Sequence, residues 1–278
     1  MLQWLQKILP PRNSRITCIW DGEGAGSQVH SRLSTMIYAQ RLGLTYLHSP
    51  LRNVARVEGG LDVNTWSDKW EQFFNLGHGI ERLDQQPQGD HVQFVRKPQR
   101  AFLKSNRFYI VKHCHPISNK YPEMFAALAD QFRACYYSTP KPELTGLNPG
   151  AINVAVHLRR GEITKDGPHR DRYIEADHAA AKVMRALDTL PKTDARPRVL
   201  HIHSEGKPSD FEPFLKLGAV LHLNEDAYTT FHHLVSADVL YMTKSSFSYL
   251  AAILSKGECF YDPFWHPPLP GWRILPAD

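Results

Sequence analysis

Cysteine is scarce in this chain, with four in 278 residues, and Cys18, Cys114, Cys135 and Cys259 stand far apart without a CxxC pair. That spacing signals neither a disulfide framework nor a zinc knuckle, and it fits a reducing compartment. Long apolar runs are missing too: nothing approaches the roughly 20 residues that a spanning helix needs, and no low-complexity tract interrupts the chain. Charge of one sign is not accumulated. The 33 Lys and Arg against 28 Asp and Glu leave +5, scattered rather than gathered into the stripe of a dedicated nucleic-acid binder, so no nucleic-acid partner is expected. A small anionic ligand suits that balance better. There is also no GxGxxG, which disfavours a plain nicotinamide or flavin enzyme.

The length suits one large or two ordinary domains, and 42% hydrophobic residues suffice for their cores. The segment Met1 to Leu9 is amphipathic at helical spacing, but Pro10-Pro11 stop it short of a signal-peptide core. It is read as a packed terminal turn in preference to a peripheral membrane foot.

The first half opens with an apolar run, Ile16 to Trp20, then a glycine-rich loop from Asp21 to Gln28, then Val29, Leu33, Met36 and Ile37 at helical spacing. Further strands are expected at Leu44 to Leu47 and Phe108 to Lys112. Between them Trp66, Trp70, Phe73 and Phe74 share one helical face ahead of Gly77, placed as a C-cap, and are read as core. Pro140, Pro142, Gly146, Pro149 and Gly150 punctuate a stretch of little periodicity, which sets the domain boundary at residue 150. The second half, 151–278, alternates again: strands at Ile152 to Val156, Val199 to His203, Ala219 to Leu223 and Val239 to Met242, with helical runs between and after them. Ser209 and Glu212 form a candidate capping box. Alternation of this kind predicts an α/β fold with parallel sheets wound by right-handed crossovers.

Ligands of such sheets bind beyond the carboxyl ends of the strands, and three strand exits carry chemistry. In His157-Leu158-Arg159-Arg160-Gly161-Glu162, strand alternation sends His157 and Arg159 to one side, and two guanidiniums there make either a diphosphate clamp or a salt-bridged strand end. In Thr243-Lys244-Ser245-Ser246-Phe247-Ser248, a hydroxyl-rich turn opens a helix, which is an anion site or an ordinary serine cap. In Ser204-Glu205-Gly206, a carboxylate stands where dinucleotide folds bind a ribose hydroxyl. The histidine pairs invite a metal reading, above all His113-Cys114-His115, with His201, His203, His232 and His233. In a strand, however, His113 and His115 face away from Cys114, and no fourth ligand stands at a zinc spacing. No metal is expected.

Taken in order, these loops resemble the fucosyltransferase superfamily of α-1,2-, α-1,6- and protein O-fucosyltransferases. His157 to Glu162 is similar to its HxRRGD motif, with Glu162 for Asp. Ser245-Ser246-Phe247-Ser248 is similar to its SSFS motif, and Gly26-Ser27-Gln28 to its GNQ loop. The resemblance implies a GT-B architecture, two Rossmann-like domains facing a cleft, with 1–150 on the acceptor side and 151–278 holding GDP-fucose without a metal. It places Arg159 on the β-phosphate, Ser246 and Phe247 on the diphosphate, Glu205 near the nucleoside and Tyr173 on the nucleotide. His157, Arg160, Ser245, Gly26, Ser27 and Gln28 complete the donor-binding set.

Inversion at the sugar also requires a base for the acceptor hydroxyl, and Glu162, Asp166 and His169 are the candidates; the resemblance favours Asp166, because in the α-1,6 relatives a carboxylate and then a histidine follow the arginine motif, an order that Asp166 and His169 repeat at a shorter spacing. His169 is also placed among the donor contacts. Departures from the family pattern stand at Ser27, Gly206 and Thr230. The expected activity is therefore inverting, metal-independent glycosyl transfer, with GDP-fucose as donor, a saccharide as acceptor and the cytoplasm as location. The alternatives are another nucleotide sugar or a catalytically silent sugar-nucleotide-binding protein.

Overall fold

The computed structural model describes residues 13–83, 85–96, 99–112, 120–191 and 194–275. The amphipathic N-terminal segment and His113-Cys114-His115 lie outside these residues. The chain divides into two compact units, Met1–Thr139 and Pro140–Asp278, and the division falls at the head of the stretch punctuated by proline and glycine.

In the first unit, β1 (Arg15–Cys18), β2 (Thr45–Tyr46), β3 (Val92–Val95) and β4 (Phe108–Val111) form a parallel sheet in the order β2-β1-β4-β3. Helix α1 (Ala25–Leu42) crosses from β1 to β2 and turns Val29, Leu33 and Ile37 inward. It ends where Gly43 takes a left-handed φ of 67° and returns its N–H to Ala39, a conformation that costs glycine nothing.

Helix α2 (Val63–Phe74) is started by Asp62, whose carboxylate accepts from the N–H groups of Asn64 and Thr65. It is ended by Asn75 at φ 46°, so the C-cap is Asn75 and not Gly77. Gly77 instead makes room for a neighbouring ring, since a Cβ there would lie 2.7 Å from His48. The aromatic stripe of α2 is core, as its spacing predicts. Trp66, Trp70, Phe73 and Phe74 are buried, with edge-on and stacked rings 5.3–5.7 Å apart. Helix α3 (Pro122–Tyr137) packs on α1 and α2.

The second unit holds β5 (Ile152–His157), β6 (Arg198–Ser204), β7 (Val220–Leu223), β8 (Val239–Met242), β9 (Glu258–Tyr261) and β10 (Arg273–Ile274), all parallel, in the order β7-β6-β5-β8-β9-β10. Counted from β5 this is 3-2-1-4-5-6, the doubly wound order whose direction reverses between the first and fourth strands. Helices α4 (Ala176–Asp188), α5 (Glu212–Leu215), α6 (Ala227–Ser236) and α7 (Ser246–Leu254) fill the crossovers. Strand β5 lies at the centre and is buried along its whole length, as a parallel strand covered on both faces must be. Its core partners include Val183, Ile202, Phe211, Phe214 and Tyr241.

The capping box expected at Ser209 and Glu212 is replaced by another contact. A single 3-10 turn, Pro208–Phe211, precedes α5, and the Asp210 carboxylate accepts from the Lys207 backbone N–H at 2.8 Å. Pro208 and Pro213 both have φ fixed for a first turn, and they split the segment into two short pieces.

Candidate functional site

The reversal point of the second sheet lies between β5 and β8, which pair as far as His157 opposite Met242. In this topology the crevice outside those two strand ends is where a ligand binds. Both exits carry the residues that the sequence singles out.

At the β5 exit, the Leu158 N–H donates to the His203 carbonyl at 3.0 Å and the Ser204 hydroxyl donates to the Leu158 carbonyl at 2.8 Å. The loops after β5 and β6 are thereby joined. Arg159 sits above this junction, its Nη2 2.7 Å from Glu162 Oε1 and its Nη1 3.9 Å from Glu205 Oε1. Gly161, at φ +74°, turns the chain so closely past Glu205 that any Cβ would strike that carboxylate. The turn thus brings Arg159, Glu162 and Glu205 together from two strand exits.

Arg160 goes elsewhere. Its guanidinium donates to the Arg159 carbonyl at 3.1 Å and the Ile174 carbonyl at 2.5 Å, and it stacks 4.0 Å from the centre of the Tyr173 ring. Burial pulls its pKa down, against the opposing pull of Tyr173, Glu175 and Asp210. The two adjacent guanidiniums therefore do different work: Arg159 faces carboxylates at the strand exit, while Arg160 and Tyr173 close the neck of the loop that follows. That loop carries Asp166 and His169, both exposed, and Lys165 pairs with Glu175 across it at 2.6 Å.

At the β8 exit, the Thr243 hydroxyl donates to the His157 carbonyl at 2.7 Å. Ser245 is the N-cap of α7, its hydroxyl accepting from the Phe247 N–H at 3.2 Å. Ser246 Oγ lies 3.1 Å from His266 Nε2, and Ser248 is buried against the Thr243 and Ser245 carbonyls. The Phe247 ring packs 5.5 Å from His157 and 5.1 Å from Phe231. This packing fixes the first turn of α7 beside the β5 exit, with the positive end of its dipole toward the reversal point. Ser245 is thus an ordinary serine cap.

Gly26, Ser27 and Gln28 belong to the first unit. They are helical, because α1 begins at Ala25 with Gly24 as an N-cap lacking any side-chain bond, so the glycine-rich loop is shorter than its composition suggests. Gln28 is fully buried and braces the loop at Arg52: its amide donates to the Arg52 carbonyl at 2.7 Å and accepts from the Arg52 N–H at 3.2 Å. One turn on stands a residue that no motif points to. Arg32, wholly buried, donates to the carbonyls of Trp20, Gln28, Ser49 and Pro50, tying the β1 exit to the chain after β2. The one signal for it in the sequence is an arginine four residues after Gln28 on the inward face of α1.

No family model and no curated sequence matches the chain. Among solved structures, it is similar to the fucosyltransferase NodZ from Bradyrhizobium, with a TM-score of 0.50 and 14% identity over 87% of this chain and 94% of that one. A mutant of Arabidopsis thaliana FUT1 in complex with GDP gives 0.47 at 12% identity over 95% and 75%. The E. coli heptosyltransferase WaaC with ADP-2-deoxy-2-fluoro heptose gives 0.39 at 14% over 95% and 93%. The two parallel α/β units are those of the GT-B glycosyltransferase fold.

Proposed function

We propose that the protein is an inverting glycosyltransferase that takes GDP-fucose as donor and a saccharide as acceptor, with glycans under assembly in the cytoplasm as its targets. One observation carries the reading: Arg159 and the capped first turn of α7 converge on the reversal point of a 3-2-1-4-5-6 sheet. A guanidinium and a helix N-terminus are donors suited to an anionic group with two or more oxygens, and a nucleoside diphosphate is the leaving group of such a transfer. The fold shared with a fucosyltransferase and the HxRRGD-like and SSFS-like segments support fucose as the sugar.

In this mechanism the charge that develops on the departing diphosphate is met by Arg159 and by the N–H groups of the α7 turn, without a metal ion at the phosphates. Arg159 leans on Glu162 and Glu205, and the incoming phosphate takes the place of those carboxylates. Once released, Glu162 stands with Asp166 and His169 on the loop after β5, where Asp166 is assigned as the base for the acceptor hydroxyl. Glu205 and Tyr173 are assigned to the nucleoside side, and Ser245, Ser246 and Phe247 to the diphosphate. Gly26, Ser27 and Gln28, in the first turn of α1, stay assigned to the donor, while the first unit as a whole is assigned to the acceptor.

The test is calorimetric titration with GDP, UDP and ADP in the presence of a chelator, beside Arg159→Ala. Micromolar binding of GDP alone, weakened by about 2–3 kcal/mol in the variant as for a charged hydrogen bond to phosphate, is the expected result. Binding of none of the three overturns the donor assignment. Asp166→Asn is expected to keep GDP affinity and lose turnover; unchanged turnover moves the base to another residue.

A further inference from the structure

Four histidines meet on one face of the second sheet. His201 and His203 are two apart on β6 and share a face, His222 lies beside them on β7 opposite His203, and His233 of α6 covers all three. Their ring centres are 4.4–5.3 Å apart. We propose that His201, His222 and His233 bind one divalent transition-metal ion of the kind that favours imidazole, with zinc(II) as the test ion.

The argument begins with where the ring protons must be. Asn153 Oδ1 accepts from the Asn148 N–H at 2.9 Å, while its amide nitrogen donates to Asn148 and Asp238, so that oxygen is an acceptor. His201 Nε2, 3.3 Å from it, must carry the proton. His222 Nδ1 faces the Glu225 carboxylate at 2.9 Å and must carry one as well. In neutral rings the remaining nitrogens, His201 Nδ1 and His222 Nε2, are then both lone pairs, and they point at each other across 3.1 Å.

Two lone pairs at that separation repel unless a cation lies between them. Two nitrogens on a tetrahedral zinc, each about 2.0–2.1 Å from the metal, are themselves about 3.3 Å apart. A third nitrogen is at hand: one donor atom from each of His201, His222 and His233 lies within 4.8 Å of the others. His233 Nε2 is buried without a hydrogen-bond partner among the described residues, and so are both nitrogens of His203. His203 is fully buried and stacks on His222 with only 12° between the rings, holding that ligand in position.

Three neutral imidazoles without a thiolate are a donor set for zinc, copper or nickel, and not for calcium or magnesium. Asn153 and Glu225 supply the outer hydrogen bonds that orient metal-bound histidines. Gly146 closes the site on one side, where a Cβ would come within 3.2 Å of His222 and 3.5 Å of His233. The ion would pin β6, β7 and α6 together beneath the Ser204-Glu205 turn. No step of the transfer is assigned to it.

The experiment uses the full chain, stripped with a chelator and dialysed. Cobalt(II) is followed by its visible absorption and zinc(II) by calorimetry and thermal melting. One equivalent with tetrahedral cobalt bands and a raised Tm is expected. The double variant His222→Gln with His233→Gln should lose both, and Glu225→Gln, at a solvent-facing position that leaves the fold intact, should weaken binding about tenfold. Failure to bind one equivalent overturns the proposal, as does undiminished binding in the double variant, which would move the ion elsewhere. A shared N–H proton between His201 and His222, seen by NMR in protein exposed to zinc, overturns it too.

Discussion

Arg159 and Arg160 are neighbours in the chain, yet one points to the carboxylates at a strand exit and the other closes the neck of a loop. A sequence shows two guanidiniums; which is free for a ligand depends on the Tyr173 ring and the Ile174 carbonyl, a full loop further along the chain. For the same reason a motif singles out Gln28 but does not show that its amide also braces the backbone at Arg52. Glu71 shows how much one such contact holds. It sits 2.7 Å from His48 Nε2 and accepts from the Leu51 N–H at 3.0 Å. Burial pushes its pKa up, but the bond to His48, the charge beside it and the Leu51 N–H outweigh this and leave it below the ordinary 4.5. A carboxylate lowered on folding contributes stability that is present above its unfolded value and lost as pH falls through its folded value. Glu71→Gln should therefore cost about 1.5–3 kcal/mol at neutral pH. In denaturant titrations its deficit against the parent protein should shrink as the pH drops below about 4.5; a gap independent of pH would assign Glu71 a packing role only.

Among the elements, those that declare themselves are the ones with regular apolar spacing: α2, α4, α7, β5, β6 and β8. Of the ones that do not, the 16-residue α3 is the exception and the rest are short or weakly buried strands. Strand β3 is only half buried and β10 has two residues, too little for a period to register, and β9 begins with an exposed Glu258. Composition puts the start of α1 too late, because Gly24, Gly26 and Ser27 suggest a loop, while backbone bonds from Ser27 and Gln28 to the Gly24 carbonyl make them helical. Gly257 stands beyond the end of α7 for a reason that composition does not carry. A Cβ there would lie 2.4 Å from the Asp238 carbonyl and 2.6 Å from that of Ala237, which is backbone and cannot swing aside. Gly257→Ala should thus lower stability by about 1–3 kcal/mol by forcing α7 and β9 away from the start of β8. An unchanged Tm would show that this approach is looser than it stands here.

On the scale of the whole molecule, the alternation of strands and helices is enough to foresee two parallel α/β units, because parallel pairs demand long crossovers and buried central strands. Strand order is not legible, and it is strand order that places the reversal point between β5 and β8. Each unit has its own sheet and its own core. All the residues assigned to the diphosphate lie in the second unit. A chain starting at Pro140 is accordingly expected to melt cooperatively and to bind GDP within a few-fold of the full protein. Loss of GDP binding in a folded fragment would show that the first unit contributes to the donor site.

The clasp of Arg160 on Ile174 has an evolutionary reading. Because the neck of the loop from Gly161 to Tyr173 is closed by a guanidinium, a stacked ring and the Lys165–Glu175 pair, residues can be gained or lost at its tip while the strand beneath keeps its register. The loop that carries the assigned base is therefore an exchangeable cassette, and descendants of this scaffold can change what they act upon without rebuilding the sheet beneath it.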